Sequence, residues 1–281
     1  MLLAMMLTMF VSCEKEIADE NESNDVTEEI TEISSGDEVT ETPTEAPVEL
    51  TAEQVIEKAN VATMASPYRI LTSMKFSSDN AEMNEALSMV NMEYPVVMDG
   101  NNLFTEISMD LGEGMIMSIT MTLVGNELYY DVDIAGTAQK MKATLSDEQL
   151  KVFLNQNSSE MPVSPSDFGK LSMEEKDKTY TIAFEELSEN GKKMLDEKIA
   201  SSLAGMEATA EMKDLSYVTT IVNGKFNDCA LSCDYSMAME DMAFNVKMEI
   251  TMTYEYDDIP EIKVPADASA YTEVPAEQLI G

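Results

Sequence analysis

The sequence predicts an α+β domain in which a curved antiparallel β-sheet, an unclosed half-barrel, wraps over two or three helices. Apolar and polar residues alternate with a period of two through much of residues 103–134 and 215–256. Turns rich in Gly and Asn separate these stretches, as in β-hairpins. Only two or three stretches show helical periodicity. An alternating sheet has one dry face, which must curl or be covered to stay soluble.

Each element follows from a local pattern. Thr51 and Gln54 form a capping box that predicts a first helix, and Pro67 ends it. A short helix is expected from Ser146 to about Leu154 and another over 188–204, while the prolines within 155–170 predict a loop. The predicted strands cover 69–77, 92–98, 103–111, 115–123, 128–134, 179–184, 215–222, 225–239 and 244–257.

The composition excludes several function classes. There are 54 acidic and 17 basic residues, a net charge of −37, and no histidine. Without histidine there is no Ser-His-Asp triad and no His-ligated metal. The acidic balance, with Arg69 the only arginine, argues against nucleic acid as a partner. Because phosphate-binding loops, nucleophile elbows and calcium loops are also missing, we expect no enzyme, no cofactor and no metal site.

The first residues predict a lipid anchor. Residues 1–12 form an uncharged apolar run, too short to span a membrane but typical of a signal-peptide core. Ser12 and Cys13 follow, and this ending resembles the lipobox of bacterial lipoproteins, which implies that Cys13 receives a diacylglyceryl group. Phe10 replaces the usual leucine, and the missing basic region suggests a truncated leader. A free cysteine after an apolar leader is the alternative.

Residues 14–50 predict an acidic tether. They contain 14 Asp or Glu residues and one lysine, with no helical or strand period. Such a segment is expected to be extended and disordered. The expected organisation is therefore a leader at 1–12, a lipidated cysteine with its tether at 13–50, and a single domain at 51–281. The alternative is an acidic peptide that binds a partner. The expected location is the extracytoplasmic face of a bacterial cell membrane.

Methionines dominate the predicted apolar face. The chain has 25 of them, and their flexible, polarisable side chains suit apolar ligands of variable shape. A plain hydrophobic core built from methionine fits the same pattern. The candidate cavity lining consists of Met74, Met109, Met115, Met117, Ile119, Met121, Met237, Met239, Met248, Ile250 and Met252.

Cys229 and Cys233 share one face of a predicted strand. Positions four apart stand about 13 Å apart along a strand, too far for a disulfide. Two buried free thiols are expected, and a strained local disulfide or a metal or redox role is the alternative. The Met-x-Met pairs 115/117 and 237/239 would also suit Cu(I), although strand packing alone requires the same arrangement.

The complete layout resembles a known kind of protein. A lipobox, an acidic tether, an opening helix, long antiparallel strands and a closing Lys263-Val264-Pro265 segment resemble a group of uncharacterised lipoproteins from Gram-positive bacteria, similar to the LolA/LppX-like superfamily. Over about 51–265 the resemblance implies a half-barrel with an apolar cavity for acyl chains. It implies a membrane-anchored lipoprotein that binds lipid or another apolar ligand. The alternative is a cell-surface scaffold that regulates or binds a cell-envelope protein without a small ligand.

Overall fold

The computed structural model describes residues 50–89, 91–110, 112, 114–157, 168–189, 191–193, 208–239 and 242–280. The helices described there are α1 (Ala52–Met64), α2 (Ala81–Ser88), α3 (Asp147–Asn157) and α4 (Glu277–Ile280). The strands are β1 (Tyr68–Ser78), β2 (Met92–Asp99), β3 (Asn102–Asp110), β4 (Ile116–Val124), β5 (Glu127–Ile134), β6 (Thr137–Thr144), β7 (Phe168–Lys176), β8 (Thr179–Leu187), β9 (Ala208–Val222), β10 (Lys225–Met239), β11 (Met242–Glu255) and β12 (Thr272–Glu273).

All twelve of these strands belong to one unclosed sheet. Their order is β12-β6-β5-β4-β3-β2-β1-β11-β10-β9-β8-β7. Consecutive strands pair antiparallel in two runs, β1–β6 and β7–β11, and β1 joins the runs by pairing with β11. Only β12, which pairs with β6, is parallel. The predicted α+β class with an unclosed, mostly antiparallel sheet is confirmed.

The alternation of the sequence gives this sheet one apolar face, called the inner face below. In β1, Ile70, Thr72, Met74 and Phe76 are buried, and the residues between them are exposed or half-buried. In β11 the even positions from Phe244 to Ile250 are buried, and the odd positions are exposed. Asn223 and Gly224 turn β9 into β10 with positive φ angles of 52° and 80°, as a two-residue hairpin requires.

Several elements differ from the sequence-based expectation. β6, β7, β12, α2 and α4 are absent from the prediction, β7 begins inside the expected loop over 155–170, and β9 begins seven residues early. In β6 only Ala143 is buried, so no alternating signal exists there. Most of the helix predicted over 188–204 lies outside the described residues, as do the leader, Cys13 and nearly all of the tether.

Helix α1 packs on the inner face. Its capping box is present as predicted, and its buried residues are Ala52, Val55, Ile56, Ala59 and Thr63. The Phe226 backbone N–H donates to Thr63 Oγ1 at 3.3 Å. The Tyr256 hydroxyl lies 3.2 Å from the same oxygen and donates to the Phe226 carbonyl at 2.6 Å. These bonds fix the last turn of α1 to the start of β10.

The C-terminal segment, residues 256–280 and called the strap below, runs from β11 to the far edge of the sheet. Its strand β12 pairs with Met141 and Lys142 of β6. Lys140 Nζ lies 2.6 Å from Asp267 Oδ2 and 3.1 Å from Asp131 Oδ2, and Tyr271 stacks edge-on against Tyr129 at 5.3 Å. The strap therefore covers part of an edge that would otherwise offer unpaired backbone groups.

Candidate apolar binding site

The inner face carries a buried row across β3, β4, β5 and β6. Leu103 pairs with Leu123, Leu123 with Leu128, and Leu128 with Ala143. The three leucines are 0% exposed. This set of four, called the core row below, belongs to the main hydrophobic core, which also contains buried residues of α1 and α3. The expectation of a dry inner face is confirmed here.

Six residues along the same strands, a second row behaves differently. Met109 pairs with Met117, and Met117 pairs with Ile134. Their exposed fractions rise along the row from 3% to 8% to 44%. These three residues, called the methionine row below, leave the sheet covered at β3 and open to solvent at β5.

Met109, Met117 and Ile119 form a hydrophobic cluster of their own, separate from the main core. This small cluster is bordered by four partly buried side chains, those of Met92, Ile107, Tyr130 and Val132. Ile107 and Val132 pair with Ile119 from either side. An apolar surface that is only partly covered can accept an apolar ligand, and methionine adapts its shape to one.

The structure divides the predicted cavity lining between regions. Met74, Met248 and Ile250 are buried in the main core, and Met121, Met237 and Met252 pack half-buried against it. Met109, Met117 and Ile119 form the small cluster. Met115 precedes β4 and is 41% exposed, so it lies on the surface. Met239 ends β10 opposite Ala208 and Met242, and its side chain lies outside the described part of the chain.

The predicted cavity lining does not contain three apolar neighbours of Met117 and Ile119. Ile107, Val132 and Ile134 alternate in the same phase as the listed residues, so parity placed them on the inner face. The predicted lining does not include them because it selects mainly methionines. The pairing register of the strands identifies them, because each lies directly opposite a residue of the predicted lining.

Cys229 and Cys233 are free and buried, as predicted. The Tyr217 hydroxyl donates to Cys229 Sγ at 3.4 Å, and Thr219 Oγ1 lies 3.1 Å from the same sulfur. Burial raises the pKa of the Cys229 thiol and raises that of Cys233 to about 11. Since the thiolate is the reactive form, both sulfurs are poor nucleophiles at neutral pH. No group of three or more Cys, Asp or Glu side chains in the described ranges could hold a metal ion.

A polar groove of about 410 Å³ lies where β1 ends beside β10 and β11. Three of its charged groups, Lys213, Lys247 and Asp79, have partners already. Lys213 lies 2.6 Å from Glu211, and Lys247 lies 2.8 Å from Glu249. Asp79 accepts two hydrogen bonds from Asn245, and these hold the pKa of its carboxyl below the ordinary value. The groove lies on β1, β10 and β11, apart from the small cluster on β3–β5.

The comparisons place the chain in a family. Residues 51–273 match a family of unknown function, DUF6612. The chain belongs to the DUF6612 family. That match covers the whole described sheet and most of the strap. No curated protein and no solved structure matched the chain. Among the described helices of this DUF6612 protein, none is long and apolar enough to cross a membrane.

Proposed function

We propose that this DUF6612 protein is an extracytoplasmic lipoprotein, anchored through Cys13, that binds lipid or acyl chains on a methionine-rich inner face. The proposed architecture is the LolA/LppX-like half-barrel. The single observation that carries the proposal is the methionine row, whose side chains pass from buried at Met109 to 44% exposed at Ile134. An apolar surface left partly open beside a buried core is typical of an apolar ligand site.

The position of the strap supports this site. β12 pairs with β6 at Met141 and Lys142, beside Ala143 and the core row. Thr137, which pairs with Ile134 at the other end of β6, is exposed. The strap thus covers the sheet edge next to the leucines and leaves the edge next to Ile134 accessible. A ligand would reach the small cluster past Ile134.

The chemistry of the small cluster favours acyl chains over polar ligands. Its members are Met and Ile, and its border adds Ile107, Val132, Met92 and the ring of Tyr130. Removal of apolar surface from water is the available driving force for ligand binding, at roughly 25 cal/mol per Å² of surface buried. Flexible methionines also tolerate chains of different length.

Ligand binding is tested on the full chain carrying Cys13→Ser, which removes the proposed anchor. Val132→Phe adds volume at the border of the small cluster and should weaken binding of a fluorescent fatty acid by about tenfold. Val218→Phe is the matched control, because Val218 is 40% exposed and pairs with Ala230 and Ala183 away from the small cluster. Its binding should stay within twofold.

Native ligand is tested on the unaltered protein. Gentle detergent extraction followed by mass spectrometry should recover stoichiometric acyl lipid. If no lipid is recovered and Val132→Phe binds the probe like the unaltered chain, the proposal is wrong. The scaffold alternative, a surface that binds a cell-envelope protein, would then be favoured by a specific crosslinked partner.

The anchor is tested separately. Metabolic labelling with palmitate should label the chain and should fail for Cys13→Ser, which should also leave the membrane fraction. Stable anchoring requires two acyl chains, each methylene contributing about 0.8 kcal/mol. Labelling of the Cys13→Ser variant at the unaltered level would contradict the assignment.

A further inference from the structure

An exposed apolar tip lies beside the small cluster. Met115 and Ile116 begin β4, and the Ala135 backbone N–H donates to the Ile116 carbonyl at 3.0 Å, which brings Ile134 alongside. Met115, Ile116 and Ile134 are all more than 40% exposed. Ile134 pairs with Met117 and projects from the inner face, whereas Ile116 alternates with Met117 and projects from the opposite face. Apolar side chains therefore extend from both sides of this end of the sheet. Single exposed apolar residues are ordinary on protein surfaces, whereas adjoining ones mark interaction sites. These three residues are called the tip.

From this geometry we infer that the tip docks onto a lipid surface with neutral or zwitterionic headgroups. The inference rests on the proposed function, because Ile134 belongs both to the tip and to the methionine row. A lipid that leaves the bilayer at the tip meets an unbroken path of apolar side chains, from Ile134 to Met117 to Met109. The tip is thus the place where the proposed ligand would be taken up or released.

Charge selects the kind of lipid surface. Asp110 lies opposite Ile116 in the register, and Asp133 adjoins Ile134. Asp110 is exposed and Asp133 half-buried. The chain as a whole carries −37. Anionic headgroups are therefore repelled, while the ammonium of a zwitterionic headgroup is attracted.

The same charge argues against a second copy of this chain as the occupant, because two strongly acidic molecules repel each other. The tip also has no Trp, Tyr or Arg, the residues that most often anchor protein interfaces. The length of the tether does not limit the contact, since a fully extended chain as long as residues 14–49 spans up to about 130 Å.

The test measures cosedimentation of the full chain carrying Cys13→Ser with phosphatidylcholine vesicles. Met115→Gln combined with Ile116→Ser should reduce the bound fraction at a given lipid concentration by about tenfold, since two large apolar side chains lose their burial. Leu71→Ser combined with Val218→Ser is the matched control, because both residues are similarly exposed and lie elsewhere on the sheet. The control should bind within twofold of the parent.

Vesicles of phosphatidylglycerol should bind the parent more weakly, and added salt should reduce the difference. Equal loss in the tip variant and the control, or stronger binding to phosphatidylglycerol, would overturn the inference. So would a dimer in solution that disappears in the tip variant, because it would make a second copy the occupant.

Fatty-acid binding by the same variants separates the two proposals. The tip variant keeps Ile134 and the small cluster, so its probe affinity should match that of the parent. Probe binding without vesicle binding in the parent would reject the docking inference alone. Vesicle binding that depends on the tip, without any probe binding, would reject the proposed function alone.

Discussion

The leucines of the core row and the residues of the methionine row lie on the same three strands and the same face of the sheet, yet only the leucines are completely buried. Leu103, Leu123 and Leu128 are completely buried, whereas exposure rises from Met109 through Met117 to Ile134. The strap pairs with β6 beside the first row. The comparison shows that alternation decides which face a residue occupies, while more distant segments decide whether that face is sealed.

The largest expected effect concerns stability. Leu123→Ala should lower the free energy of unfolding by about 3–4 kcal/mol, because a fully buried side chain leaves a cavity in a region that cannot collapse. Met117→Ala should cost about 2 kcal/mol, since its surroundings are partly open and can relax. Urea unfolding of both variants measures the difference. Equal losses would mean that the two rows are packed alike.

Thiol labelling compares the solvent accessibility of the methionine row with that of the main core. In the Cys13→Ser background, Ile134→Cys places a thiol at the open end of the methionine row, and Cys229 and Cys233 remain as buried internal controls. At pH 8 the new thiol should react about 100-fold faster than either native one, which must first become exposed. The raised pKa of Cys233, about 11, keeps it protonated at that pH. Peptide mapping after timed maleimide labelling measures the rates, and equal rates would contradict a closed core.

The sequence predicts some of the strands but not the division of the methionines between the two regions. β11 was predictable because Phe244 to Tyr254 alternate strictly with polar residues. β6 was not, because Thr137–Thr144 has polar residues on both faces and becomes a strand only by pairing with β5 and β12. The division of the methionines was also hidden. Leu123 and Met117 have the same phase in the sequence, and contacts with residues far along the chain separate them.

Substitution of Thr63 tests whether the attachment of helix α1 to the main core also affects ligand binding at the small cluster. Thr63→Val removes the acceptor of the buried Phe226 backbone N–H and should cost about 1–2 kcal/mol of unfolding free energy. Fatty-acid binding at 25 °C should stay within twofold, because α1 makes its main contacts with β10 and β7 and contributes no residue to the small cluster. Thr63→Ser, which keeps the hydroxyl, is the control. A large loss of binding in the valine variant alone would show that the two regions act as one.

The smallest expected effect concerns the strap, which pairs with β6 beside the core row and not beside the methionine row. The Lys140 ammonium, which donates to Asp267, holds the pKa of the Asp267 carboxyl below its ordinary value of 3.8. A lowered folded-state pKa gives stability that is present above pH 3.8 and is lost as the pH falls through the folded value. Asp267→Asn should therefore lower the melting temperature at pH 7 by about 1–2 °C, as expected for an exposed ion pair, and the difference should shrink below pH 3.8. Melting curves at pH 7 and pH 3 in low salt measure it, with Asp258→Asn as a control on the same segment. An equal change in melting temperature at pH 7 and pH 3 would mean that the Lys140–Asp267 ion pair does not hold the strap. The pairing of β12 and the packing of α4 alone would then cover the core row.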